Sequence, residues 1–251
     1  MSDFLLYTLA AVAPGIFWLI VIYLGDRVEP EPTRLVIWTF IAGGFFSFLG
    51  AIMVWAFQST LFGDSVTALD VVVFAPIIEE PAKLIVCIFF LNWIGDEFDE
   101  PMDGIVYASA VALGFATFEN MFYVSVFSSR FGIGSDSWWD LVGLRALLTV
   151  PSHALASAVW GFALGRARFA PEKARAGIIV LGLVGGIVLH GIFNYIAVAQ
   201  IGESYTLLMV QVAIEWGLMI AMVVKSLSLS PHRRTRLLAR GGGERDFLDD
   251  E

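Results

Sequence analysis

Long apolar stretches alternate with short polar breaks along the whole chain, and the stretches are too long for strands. Seven of them, 4–24, 35–57, 70–94, 104–128, 141–165, 177–199 and 205–225, reach the roughly 20 residues a helix needs to cross a hydrocarbon layer. The breaks are turn-like: Gly25 to Arg34 contains Pro30 and Pro32, and Gly95 to Asp103 combines Gly95 with Pro101. No segment repeats, and no break is long enough to serve as a linker between domains. The pattern predicts an all-α, polytopic transmembrane helix bundle of about seven spans. It forms one integral-membrane domain over 1–225, followed by a flexible charged tail over 226–251.

Composition agrees and narrows the class. Hydrophobic residues make up 58% of the 251 and Asp, Glu, Lys and Arg only 16%, against roughly 25% charged in soluble domains. With a mean hydropathy of +0.77, soluble globular, disordered and fibrous classes are excluded, and a multi-pass protein of the cell membrane is expected. One cysteine, Cys87, excludes a disulfide framework and a thiolate zinc cluster. The net charge is −9 and no basic face covers a folded region, so nucleic acid is not an expected partner. Twelve of the fifteen lysines and arginines fall in the breaks after the first and fifth stretches, at the very end of the seventh (Lys225) or in the tail. Cytoplasmic loops collect positive residues, which predicts the N-terminus outside and the C-terminus in the cytoplasm. The first stretch lacks a positive leader and is expected to remain as a span.

Several ionisable residues interrupt the apolar runs, and each costs about 2.5–3.5 kcal/mol on insertion scales unless it has a reason to be there. The third stretch carries Glu79, Glu80 and Lys83; the fourth Glu119, Asn120 and Tyr123; the fifth Arg145 and His153; the sixth His190 and Asn194. Spacings of three and four put Glu79 and Glu80 on one face with Lys83, Glu119 with Tyr123, and His190 with Asn194. Taken singly, each has a bland reading: an intrahelical ion pair, a packing histidine, interhelical amide hydrogen bonds, and for Arg145 a side chain that snorkels to the outer interface. Taken together they are three carboxylates and two histidines around one lysine, at nearly one depth across alternating helices. Three anions cannot share one ammonium at low dielectric, which favours a site.

A glutamate beside trapped water is a candidate general base, a second carboxylate can share the proton, and histidine with a side-chain amide can support a developing oxyanion. Pro76 and Pro81 free backbone carbonyls beside the glutamates, and irregular backbone at membrane depth implies protein or water to satisfy it. No Gly-x-Ser-x-Gly element occurs, so hydrolysis without a covalent intermediate is the chemistry this set suits.

The ordered series Glu79-Glu80-Pro-Ala-Lys83, Phe118-Glu119-Asn-Met-Phe-Tyr123, His153 and His190-x-x-x-Asn194 resembles the PrsW family of intramembrane proteases. That family lies within the superfamily of CAAX prenyl proteases and bacteriocin-processing proteins. The likeness covers about 71–200. It implies a glutamic-type endopeptidase making the first cut in regulated proteolysis of a single-span regulator such as an anti-sigma factor. By position, it implies Glu79 as activator of water and Glu80 as its pair. Glu119 holds the second-motif position, where the CAAX branch has histidine. His190 and Asn194 would steady the oxyanion, His153 would deliver a proton to the leaving amine, and Lys83 would orient the pair. Asn120 and Tyr123 are expected in support. No cofactor is expected. The expected partners are a single-span substrate and the bilayer.

Two alternatives stay open. Glu79, Glu119, His153 and His190 offer nitrogen and oxygen ligands for zinc, although no His-Glu-x-x-His element fixes them. Carboxylate and histidine chains also form proton relays, so a proton-coupled carrier or a membrane scaffold is the non-enzymatic reading.

Overall fold

The computed structural model describes residues 2–27, 29–63, 67–199 and 204–232, and among these there are helices and turns but no strand. Seven helices follow the seven apolar stretches: α1 Asp3–Tyr23, α2 over 33–62, α3 over 70–94, α4 Pro101–Phe131, α5 Asp136–Arg168, α6 Glu172–Ala199 and α7 Thr206–Leu229. Six are long and apolar enough to cross a membrane. The exception is α3, whose run is broken by Glu79, Glu80 and Lys83, and it packs against α2, α4 and α6. The chain is a multi-pass membrane protein. The last helix runs to Leu229, beyond the expected end at 225, and 233–251, most of the expected tail, lie outside the described residues.

The core is built on α4, which is buried at every position from Pro101 to Thr117. A helix apolar all round belongs inside a bundle. Between helices in lipid there is no hydrophobic drive, so association relies on close backbone approach at small residues. Accordingly Gly104 faces the carbonyl of Gly161, Gly165 faces the carbonyl of Pro101, and Gly114 faces the carbonyl of Phe40, each leaving no room for a Cβ. The opposite surface is apolar and exposed, with Phe17, Phe57, Ile85, Phe89, Trp93, Leu181 and Ile214 facing outward as lipid contacts require.

Three helices widen into a π turn, at Thr39–Gly43, Asp70–Phe74 and Arg145–Thr149. The second and third precede Pro76 and Pro151. A proline has no N–H for the carbonyl a turn earlier, and a widened turn re-routes the remaining bonds. Both of these π turns border the polar residues described next.

Candidate active site

The four motif-bearing helices bring their polar residues to one place, as the shared depth predicted. Glu80 is fully buried and accepts four bonds. Its Oε1 takes Lys83 Nζ at 2.7 Å and His190 Nδ1 at 2.9 Å; its Oε2 takes Ser157 Oγ at 2.7 Å and Trp160 Nε1 at 2.8 Å. A carboxylate so saturated is fixed as an anion and has no lone pair to spare for water. Glu79 is the opposite case. Its Oε2 is buried without a hydrogen-bond partner, with Lys83 Nζ at 3.7 Å and His190 Nε2 at 3.8 Å.

These contacts assign the histidine tautomers. Bonded to Glu80, His190 carries its proton on Nδ1 and presents a bare Nε2 toward Glu79. The Lys83 ammonium lies 3.1 Å from His153 Nδ1, so His153 carries its proton on Nε2, which points to Glu119 Oε2 at 3.4 Å. The two rings meet edge to face at 4.9 Å.

Arg145 does not snorkel. It is buried, gives Nη2 to Glu119 Oε2 at 2.5 Å and Nε to Asn120 Oδ1 at 2.8 Å, and lies 4.0 Å over the Tyr123 ring. The site therefore holds three carboxylates against two cations rather than one. Glu80 pairs with Lys83, Glu119 pairs with Arg145, and Glu79 is the anion left over. The Pro151-linked π turn carries Arg145, which explains why its place was not legible from regular helical spacing. Asn120 is held by the carbonyls of Ala10 and Ala11 at 3.1 and 2.9 Å, and so supports Arg145 from α1. Asn194 donates to the Val71 carbonyl at 2.9 Å. Val71 sits five residues before Pro76, whose missing N–H a π turn would have used, so Asn194 fills a backbone vacancy in α3.

A cavity of about 640 Å³ opens above these groups. Glu79, Glu119, Tyr123, Arg145, His153, His190 and Asn194 line it together with apolar residues that include Phe48, Ile52, Trp55, Phe122, Leu141 and Val198. Glu80 and Lys83 lie behind that surface.

Three groups were passed over in the sequence. Ser157 and Trp160 follow His153 at four and seven residues, on the same helical face, a spacing that could have marked them. Glu215 on α7 is buried, accepts from Gln211 at 3.0 Å, and does not line the cavity.

The donors fit a metal ion. Glu79, His153 and His190 each offer an atom within 4.8 Å of the others. The unpartnered Glu79 Oε2 and the bare Nε2 of His190 stand 3.8 Å apart, near the roughly 3.3 Å that tetrahedral zinc bonds of about 2.05 Å would set. Glu80 on His190 Nδ1 is the outer carboxylate such a ligand usually carries. Through Nδ1, 3.1 Å from Lys83 Nζ, His153 would join the set only with Lys83 turned aside.

A buried carboxylate–histidine centre beneath a cavity in a helix bundle suits a multi-pass membrane hydrolase. Residues 31–224 match the family model described as "PrsW family intramembrane metalloprotease". The chain is 35% identical over 211 residues to Protease PrsW of Geobacillus kaustophilus, covering 83% of this chain and 87% of that protein. It is 34% identical over 227 residues to Protease PrsW of Bacillus subtilis, covering 88% and 96%, and 28% identical over 233 residues to that of Clostridioides difficile, covering 91% and 93%. No solved structure matches. The chain belongs to the PrsW family of intramembrane proteases, and the protein is a peptidase, which sets aside the carrier and scaffold readings.

Proposed function

We propose that the protein cuts a peptide bond in or beside the transmembrane segment of a single-span membrane protein, as the first step in regulated proteolysis of a regulator such as an anti-sigma factor. The observation that carries the mechanism is the unpartnered, buried Oε2 of Glu79 at the floor of the cavity. A water seated between Glu79 Oε2 and His190 Nε2 donates to both and keeps a lone pair for the substrate carbonyl carbon. Glu79 takes the proton as the water oxygen attacks. His153 supports the oxyanion when its Nε2–H turns from the 3.4 Å contact with Glu119 Oε2 to the substrate, a role the family likeness gave to His190 and Asn194. Glu79 returns its proton to the departing amine as the C–N bond breaks. Glu80, Lys83, Ser157 and Trp160 hold His190 and His153 in these tautomers, Arg145 fixes Glu119 as an anion, and Asn194 holds the Val71 turn. This is the glutamic-type route without a cofactor.

The second reading is the metal-dependent one, favoured by the close approach of Glu79, His153 and His190. These three would hold the ion. When bound, a divalent metal supplies a polarised carbonyl and a more acidic water.

The test uses purified protein in proteoliposomes with single-span substrates. Glu79→Gln is expected to abolish cleavage while the protein still inserts and accumulates, because an amide cannot take the proton. Near-normal turnover by this variant would sink both readings. Exhaustive chelation separates them: full activity afterwards removes the metal, and loss restored by zinc removes the cofactor-free route.

A further inference from the structure

Pro14, Pro76 and Pro151 each leave a carbonyl of their own helix without its amide. Each of those carbonyls is taken by a side chain from another helix. In α3 the donor is Asn194, on Val71. The other two bonds tie α1 to the active site. Pro14 orphans the carbonyl of Ala10, and Asn120 Nδ2 of α4 donates to it at 3.1 Å and to that of Ala11 at 2.9 Å. On α5 the π turn runs its bonds five residues back, so the Val150 amide reaches the Arg145 carbonyl. The next such amide would belong to Pro151 and serve Ala146. Trp18 Nε1 of α1 serves it instead, at 2.8 Å. The Trp18 ring lies against Trp216 of α7, with centroids 5.2 Å apart, and this packing aims its N–H.

A proline at 151 allows the helix before it two registers. In a regular α-helix the orphaned carbonyl is that of Leu147, four residues back; in the widened turn it is that of Ala146. One residue of helix is a rotation of about 100°, so the choice of register turns Arg145 by that angle relative to His153. In the widened register Arg145 is buried against Glu119 and Asn120. The donor from α1 meets the carbonyl that only this register orphans, and without that donor the bond favouring the register is gone.

We propose that Trp18 is a positioning residue for the peptidase. By satisfying the Ala146 carbonyl it holds α5 in the register that turns Arg145 into the site. Asn120, anchored on α1 through Ala10 and Ala11, receives the same arginine from the other side. Neither Trp18 nor Asn120 lines the cavity, so both act through Arg145 and not on the substrate. The inference rests on the reading in which Arg145 fixes Glu119 beside His153. It gives α1, which carries none of the motif residues, a part in the reaction.

The test uses the full chain in proteoliposomes with a single-span substrate, with turnover counted per folded molecule. Trp18→Phe keeps an aromatic ring and loses the N–H; kcat is expected to fall about fivefold, the scale of one neutral hydrogen bond, with KM unchanged. Because the smaller ring also packs less well, a second variant carries β-(3-benzothienyl)alanine at position 18, which keeps the shape of tryptophan and puts sulfur in place of the N–H. The same fall in kcat is expected there. Asn120→Ala loosens the same arginine, so adding Trp18→Phe to it should cost less than about twofold more, whereas losses at unconnected sites multiply. Full kcat in the benzothienyl chain, a loss confined to KM, or losses that multiply in the double variant would each overturn the proposal. Turnover retained by Glu79→Gln would instead sink the reading of the site on which it rests, whatever position 18 does.

Discussion

Two adjacent glutamates in one helix do different work because their neighbours differ. Glu80 points into α5 and α6 and is bonded on both oxygens, whereas Glu79 points into the cavity with one oxygen bare. Glu80→Gln should therefore lower the amount of folded protein as well as its rate, while Glu79→Gln removes the rate alone. Quantitative blots paired with turnover in proteoliposomes would show the split. Arg145 gives a second residue-scale prediction. Removing one partner of a buried ion pair costs about 3–5 kcal/mol, chiefly by stranding the other. Glu119 keeps 18% of its side chain exposed, which puts Arg145→Ala nearer about 2 kcal/mol after allowing for solvent. Adding Glu119→Gln to Arg145→Ala should recover some of that stability and none of the activity, measured by thermal unfolding in detergent and by cleavage.

Helices meet here through missing side chains and missing amides. Gly104 and Gly161 let α4 and α5 touch backbone to backbone, so Gly104→Ala is expected to cost about 1–3 kcal/mol, the usual range for overpacking, and to lower the thermal midpoint without changing KM. The α3–α6 contact is a backbone repair. Pro76 cannot donate to the Val71 carbonyl and Asn194 does so from α6. Asn194→Ala should lower activity, and adding Pro76→Ala should restore some of it, since residue 76 then brings its own amide. An Asn194→Ala defect that Pro76→Ala leaves untouched would instead mean that the amide acts on substrate.

At the scale of the molecule, the polar centre lies toward one end of the bundle and a group of buried carboxylates, Asp26, Glu31, Glu100 and Asp103, at the other. If the N-terminus is outside, as the arginine and lysine distribution predicts, the cavity opens outward. A cysteine in place of Val198, which lines the cavity, in a chain with Cys87→Ser, should then react with a membrane-impermeant reagent added outside. Labelling only from the cytoplasmic side would reverse the orientation. Glu31 at the acidic end makes stability depend on pH. Glu31 faces Tyr107 and Asp103 of α4 and Glu97 and Asp99 of the neighbouring loop. Its folded pKa of about 7 exceeds the ordinary carboxylate range. Its contribution to stability is thus full below that range and is lost as pH rises through about 7. The thermal midpoint should fall between pH 6 and pH 8, and Glu31→Gln should flatten that fall.

The seven helices and their rough limits were legible in the sequence because hydrocarbon admits few alternatives to an unbroken apolar helix. The motif residues were legible for the same reason: an ionisable side chain in lipid stands out, and helical spacing groups it with its neighbours. What spacing could not decide was which partner each would find across helices. Glu79 and Glu80 are one residue apart and chemically identical, and only the packing of α5 and α6 around one of them tells them apart. Arg145 read as an interfacial residue because the π turn that carries it inward interrupts the regular period on which spacing arguments depend. The acidic group at the far end was invisible altogether, since its members come from loops and helix ends separated by some 77 positions between Asp26 and Asp103. Local periodicity reports what lies one turn away, and only the tertiary structure decides which charges meet.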